Sequence, residues 1–174
     1  MEDSALARLV LLAQAGKRSE LDRLFGKIQQ PIFRYIYGIT KDVHLAEDLL
    51  QEVFMIAFRK LWLLEEPKAF MTWIYRIASR VTFRHLRKKK VPVVFDVSLL
   101  EEQVEVKEDS LPLDIDLQQL ISQVTTASRT VLFLRFIEKK SLKEISLILE
   151  IPLGTVKSRL NYGISQLQKI NAKN

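Results

Sequence analysis

Three groups of side chains in this chain of 174 residues have types and spacings that suit them to chemistry. The first is a row of cations: Arg76, Arg80, Arg84 and Lys88 recur every four residues, so on a helix they form one continuous basic stripe. Tyr75, Ser79 and Phe83 lie alongside it, and Trp73 stands near its start. Cations for phosphates beside aromatics that stack on bases describe a surface for single-stranded nucleic acid. The competing reading makes Trp73, Tyr75 and Phe83 core aromatics and the arginines a solvated face. It is favoured for Trp73 but not for the cations, because no acid in the segment interleaves them.

The second group is Asp48 and Glu52, four apart and therefore on one helix face, with Gln51, Met55 and Arg59 on the same side. Such carboxylates can pair with cations on a protein partner, bind a divalent metal, or stay solvated. A metal site needs further ligands from a second helix, and the neighbouring helix offers mostly cations, so metal carries little weight. The third group is Lys157, Ser158, Asn161 and Tyr162, small, polar and cationic residues on one face of a helix whose other face carries Val156, Leu160, Ile164 and Leu167. That composition suits the major groove of DNA. A surface helical hairpin with a solvated face is the alternative.

Helical spacing predicts the elements that carry these groups. Residues 4–15 form a first helix, with Leu6, Leu9, Val10 and Ala13 inward and Gly16 as its stop. A second runs from Ser19 to Gly38, with Pro31 as a candidate kink. A third begins after Thr40, read as its cap, and reaches about Leu63. A loop, residues 63–68, precedes the basic helix of residues 69–90. Near the C-terminus Ser141 and Glu144 form a capping box that opens one helix. Glu150-Ile151-Pro152 ends it, and Pro152 opens the next.

With five glycines, five prolines and little strict alternation, the fold class is all-α. Charge divides the chain: residues 1–90 hold 17 Lys and Arg against 10 Asp and Glu, residues 91–116 one against eight, and residues 117–174 nine against three. Two basic helical domains, 1–90 and 117–174, are thus expected on either side of an acidic linker, 91–116. A net charge of +6 favours an anionic partner such as nucleic acid. The absence of cysteine excludes disulfides and thiolate metal sites. His44 and His85, the two histidines, lack metal-motif spacing, and no metal or cofactor is expected. Without a signal-peptide pattern or a bilayer-length apolar run, a cytoplasmic location is expected.

Taken together, AEDLLQEVF, then AFMTWIYRIASR, then a basic helix end, an acidic linker and LRFIEKKSLKEISLILEIPLGTVKSRL resemble the extracytoplasmic-function sigma factors of bacterial RNA polymerase over nearly the whole chain. The resemblance implies that Asp48, Gln51 and Glu52, with Met55 and Arg59 on the same face, dock on a coiled coil of the polymerase clamp. It implies that the loop at 63–68 and the following helix recognise and melt the minus-ten element, the loop holding a flipped base. In that helix Arg76, Arg80, Arg84 and Lys88 would hold phosphates, with Trp73, Tyr75, Ser79 and Phe83 beside them. Lys157, Ser158, Asn161 and Tyr162 would read the minus-thirty-five element, and Arg135, Lys140, Ser141, Thr155 and Arg159 would contact its phosphates. An anti-sigma protein is an implied partner, and no enzymatic turnover is implied.

The chain departs from the pattern in three places. Asn161-Tyr162-Gly163-Ile164 replaces an arginine-rich run, Glu150 stands in a turn where glycine is common, and Val81-Thr82-Phe83 follows IASR where asparagine is frequent. Gly163 falls near the inward stripe, which suits close packing. On the residues alone, a free-standing helix-turn-helix regulator and a metal-dependent hydrolase using Glu47, Asp48 and Glu52 remain as other readings.

Overall fold

Apolar residues at three- and four-residue spacing produce helices in the computed structural model, which describes residues 2–89, 119 and 121–172, and no strand occurs among them. The chain divides into two compact units, Met1–Arg84 and His85–Asn174. The acidic segment 91–116 lies outside the described residues.

In the first unit, α1 (Glu2–Gln14) buries Ala7, Leu9, Val10 and Ala13. It stops where Gly16 takes a positive φ of 83°, a backbone region that costs a glycine nothing. Helix α2 (Arg18–Thr40) runs through Pro31 and past Gly38. Gly38 was expected to end it. Instead Ile39 is buried, which holds the last turn helical, and Lys41 takes the left-handed terminal conformation, its amide donating to the Tyr37 carbonyl. Thr40 is correspondingly not the cap of the next helix, for its hydroxyl donates back to the Ile36 carbonyl at 3.0 Å. Asp42 caps α3 (Val43–Lys60), accepting from the Leu45 amide at 3.0 Å. Helix α3 gives way to a 3-10 turn at Leu61–Leu63, and a second such turn, Pro67–Ala69, leads into α4 (Phe70–Lys88).

The core of this unit is the inward stripes of its helices, among them Ile32, Tyr35 and Ile36 of α2, Leu49 and Val53 of α3, and Phe70, Ile74 and Ala78 of α4. Phe25 and Phe54 stack across α2 and α3 with centroids 5.0 Å apart. Tyr35 and Tyr75 meet edge to face at 5.3 Å, both fully buried. Ser79 completes that contact. Its hydroxyl donates to the Tyr75 carbonyl at 2.7 Å, so its oxygen is left to accept from the Tyr35 hydroxyl, also at 2.7 Å.

The second unit contains α5 (Thr126–Leu132), which continues as a π-helical turn over Phe133–Ile137, then α6 (Leu142–Leu149) and α7 (Leu153–Asn171). The capping box is present: the Glu144 amide donates to the Ser141 hydroxyl at 3.2 Å, and the Ser141 amide to the Glu144 carboxylate at 2.8 Å. Ser146 ties the turn between α6 and α7, its hydroxyl donating to the Ile151 carbonyl and its carbonyl accepting from the Ile151 amide. Pro152 sits one position earlier than expected, as the residue before α7 rather than within its first turn. Val156, Leu160, Ile164 and Leu167 are buried as their spacing requires.

Glycine chemistry runs in opposite directions at two positions. Glu150 adopts φ 55°, ψ 42°, the left-handed region in which a Cβ crowds the backbone. Gly163 is buried against α5, and a Cβ there would lie 2.8 Å from Leu132 Cδ1 and 3.1 Å from Ser128 Cβ. Replacing Glu150 by glycine is therefore expected to stabilise the turn by about 1 kcal/mol. Gly163→Ala gains about 1 kcal/mol of helix propensity but meets an overpacking cost of about 1–3 kcal/mol, so a net loss is expected. Amide hydrogen exchange of α6 and α7 in the full chain checks both; slower exchange in Gly163→Ala would show that the α5–α7 contact has slack.

Candidate polymerase and nucleic-acid interface

Helix α3 presents its expected strip. Asp48, Gln51, Met55 and Arg59 are exposed, and Glu52, between them, is half-buried. Their spacing of three and four residues places them on one side, because Ala46, Leu49, Leu50, Val53 and Ala57 occupy the other. Beyond the strip, an apolar surface extends into the turn that follows α3. Phe58, Trp62 and Leu63 are also exposed, and the Phe58 and Trp62 rings meet at 5.9 Å. Beside Gln51 a groove opens between α2 and α3, lined by Gln29, Phe33, Leu50 and Phe54 among others. The α2 side of that groove was not anticipated, since its glutamines carry no motif.

On α4, Arg80, Arg84 and Lys88 are exposed and Arg76 is half-buried. Two residues expected beside them lie elsewhere: Tyr75 and Ser79 are buried and face α2 through the Tyr35 contact. One residue along a helix is a rotation of about 100°, enough to carry each away from the neighbouring arginine and into the core. Neither is a surface contact. Trp73 and Phe83 are half-buried, and Trp73 packs against Phe70 at 5.8 Å.

The basic stripe does meet an acid, supplied by another helix. Glu52 of α3 forms an ion pair with Arg84 of α4. A residue of the α3 strip and one of the α4 stripe are thus partners, with both side chains about half exposed (44% and 50%). Glu47 faces His44 at 3.9 Å, and Asp48 remains the outward carboxylate of the strip.

In the second unit Lys157 is exposed on α7, and Thr155, Ser158, Asn161 and Tyr162 are partly so. The Ser158 hydroxyl donates to the Gly154 carbonyl at 2.8 Å, leaving its oxygen able to accept. Tyr162 oxygen accepts from Gln166 Nε2 at 3.4 Å. Arg159 is half-buried, and desolvation pulls its pKa below the ordinary guanidinium value.

Arg135, Lys140 and Ser141 come together at the entry to α6, where each has a structural task. Arg135 donates to the Lys140 carbonyl at 3.3 Å, the Lys140 ammonium lies 3.8 Å from Glu144, and Ser141 caps the helix. Burial pushes the Glu144 carboxyl up, but hydrogen bonds from Ser141 and the charge of Lys140 outweigh it, leaving the group below the usual carboxylate range. Arg129, which no motif singled out, donates to the Ser122 and Val124 carbonyls at 2.7 and 3.0 Å and so fixes the approach to α5.

Comparison with known proteins accounts for both units. Residues 24–91 match Sigma-70 region 2 and residues 120–169 match Sigma-70 region 4. The chain is 36% identical over 152 residues to the ECF RNA polymerase sigma factor SigW of Bacillus subtilis, covering 79% of this chain and 81% of that protein. It is 31% identical over 167 residues to the RNA polymerase sigma-H factor of Pseudomonas aeruginosa, covering 88% and 86%. The fold is shared with the sigma factor RpoE from Bartonella quintana, solved in complex with the anti-sigma factor NepR. That match has a TM-score of 0.67 and 20% identity, covering 87% of this chain and 96% of the other. With both sigma regions in their expected order and relatives aligned over most of its length, the chain belongs to the extracytoplasmic-function sigma factors of RNA polymerase.

Proposed function

We propose that this sigma factor docks on core RNA polymerase through the α3 strip, opens the minus-ten element with α4 and the loop before it, and reads the minus-thirty-five element with α7. The observation that supports this most is the placement of the exposed α3 strip and the exposed Arg80 and Arg84 of α4 on one unit, linked by the Glu52–Arg84 pair. One small body then holds the polymerase and the DNA strand at once. Asp48, Gln51, Met55 and Arg59 serve the dock, with Glu52 at its edge. Arg76, Arg80, Arg84 and Lys88 serve the phosphates. Lys157, with Ser158, Asn161 and Tyr162, supplies the groove contacts of a recognition helix. The protein acts in the cytoplasm and is held inactive by an anti-sigma protein until it is needed. It positions the polymerase and carries out no turnover of its own. Among the described residues no helix is long and apolar enough to cross a membrane.

Charge reversal tests the dock. Asp48→Arg together with Glu52→Arg is expected to weaken core binding at least about tenfold, the loss typical of breaking close charge pairs at an interface. A quantitative pull-down with purified core reads it, and unchanged retention would remove the docking assignment. Asp48→Arg alone leaves the Glu52–Arg84 pair in place, so it reports the dock without disturbing the DNA-facing arginine.

Lys157→Glu tests the other unit. It is expected to cost about 1–3 kcal/mol at promoters that rely on the upstream element and little elsewhere. Run-off transcription on promoter pairs with and without that element measures the difference. An equal effect on both would place the recognition surface elsewhere.

A further inference from the structure

Gln14, the last residue of α1, makes a contact that neither of the matched sigma regions contains, since region 2 is matched only from residue 24. Its side-chain Nε2 donates to the Leu61 carbonyl at 2.9 Å and to the Leu64 carbonyl at 2.8 Å. Both hydrogens of one carboxamide are thus spent on the two ends of a single turn. The Leu64 amide closes the same turn on the Leu61 carbonyl at 3.1 Å, and the Leu61 side chain anchors it in the core.

What the turn carries between its pinned ends is Trp62 and Leu63, 53% and 72% exposed. A tryptophan and a leucine so exposed gain only part of what burial would give them, yet their backbone is held by a side chain from a helix 47 residues earlier. The Phe58 ring, set at 73° to the indole, supports it from α3 and leaves much of it uncovered. An indole held in a set orientation is a stacking surface for a flat aromatic group, and a nucleobase offers one whatever its identity. The turn leads directly into the segment before α4, and the neighbouring charges are mixed: Arg59 and Lys60 before it, Glu65 and Glu66 after it. Acids on one side disfavour a phosphate track there and leave a base as the better-suited occupant.

Building on the proposed function, we infer that Gln14 is a positioning residue for strand opening: it fixes the Leu61–Leu64 turn so that Trp62 receives an unpaired base of the promoter strand on its indole face. The first helix is therefore part of the melting apparatus, acting through a hydrogen-bonded turn and without touching DNA.

The test uses holoenzyme assembled from purified core and the full chain, with 2-aminopurine placed in the non-template strand of the minus-ten element. Gln14→Met keeps the length and packing of the side chain and removes both donors. Its core binding is expected to stay within about twofold of the parent, while affinity for the single-stranded minus-ten oligonucleotide falls about fivefold or more, the low end for loss of a base-stacking group. The 2-aminopurine response on duplex promoter is expected to fall in parallel. Trp62→Ala is expected to lose at least as much and Trp62→Phe to recover most of it. Because Gln14 acts through Trp62, the double variant Gln14→Met/Trp62→Ala should be no worse than Trp62→Ala alone. Multiplied losses in the double variant would overturn the inference, as would wild-type oligonucleotide binding by Gln14→Met or a matching loss of core binding. A parent holoenzyme that opens no promoter would instead overturn the proposed function, and this inference with it.

Discussion

The rotational setting of α4 is the constraint on which the first unit depends. A helix that presents a row of cations must also bury an apolar face, and the observed rotation of α4 satisfies both. The buried apolar stripe sets it, and one buried hydroxyl contact reinforces it. Ser79 has a single proton, given to the Tyr75 carbonyl, so Tyr35 must donate to Ser79, and that donation requires Ser79 to face α2. Leaving that contact unmade would cost about 1–3 kcal/mol, which reinforces the rotation already set by burial of Phe70, Ile74, Ala78 and Val81. Once Ser79 and Tyr75 point inward, Arg80 and Arg84 point to solvent. The cation row is a consequence of how the core is packed.

Against that rigid background the Glu52–Arg84 pair is weak. Both side chains are about half exposed, and ion pairs in that setting contribute roughly 0–1 kcal/mol. Its value is therefore positional. It holds an arginine and a carboxylate in place where, under the proposed function, each exchanges the other for a stronger partner, a phosphate for one and a polymerase cation for the other. A contact so easily exchanged does not oppose assembly, whereas a buried pair at the same place would.

The second unit solves a different problem, that of presenting the partly exposed outer face of α7 from a short tight turn. The capping box starts α6, Ser146 bonds across the turn in both directions, and Glu150 accepts a left-handed backbone to complete it. Helix α7 can then approach α5 closely because Gly163 has no side chain where Leu132 and Ser128 pass. The tetrapeptide Asn161-Tyr162-Gly163-Ile164, which departs from the family's arginine-rich run, thus has a packing reason at its third and fourth positions. Its first two remain partly exposed on the outer face.

The sequence by itself determined what depends on local spacing and end chemistry. The all-α class, the Ser141–Glu144 box, the buried stripe of α7 and the exposed strip of α3 could all be read from neighbours within about one helical turn. The family could be read too, because two motifs occur in the right order. What only the tertiary structure decided are pairings across tens of residues. Tyr75 and Ser79 look like surface companions of an arginine row until α2 brings Tyr35 against them. Thr40 and Gly38 carry end-of-helix chemistry, but burial of Ile39 carries α2 past Gly38 and leaves capping of α3 to Asp42. Gln14 resembles any glutamine at a helix end, and its two bonds to the turn at Leu61 and Leu64 exist only in the folded chain. The physical reason is common to all three: local sequence leaves each position several conformations or partners, and only packing decides which of them is present.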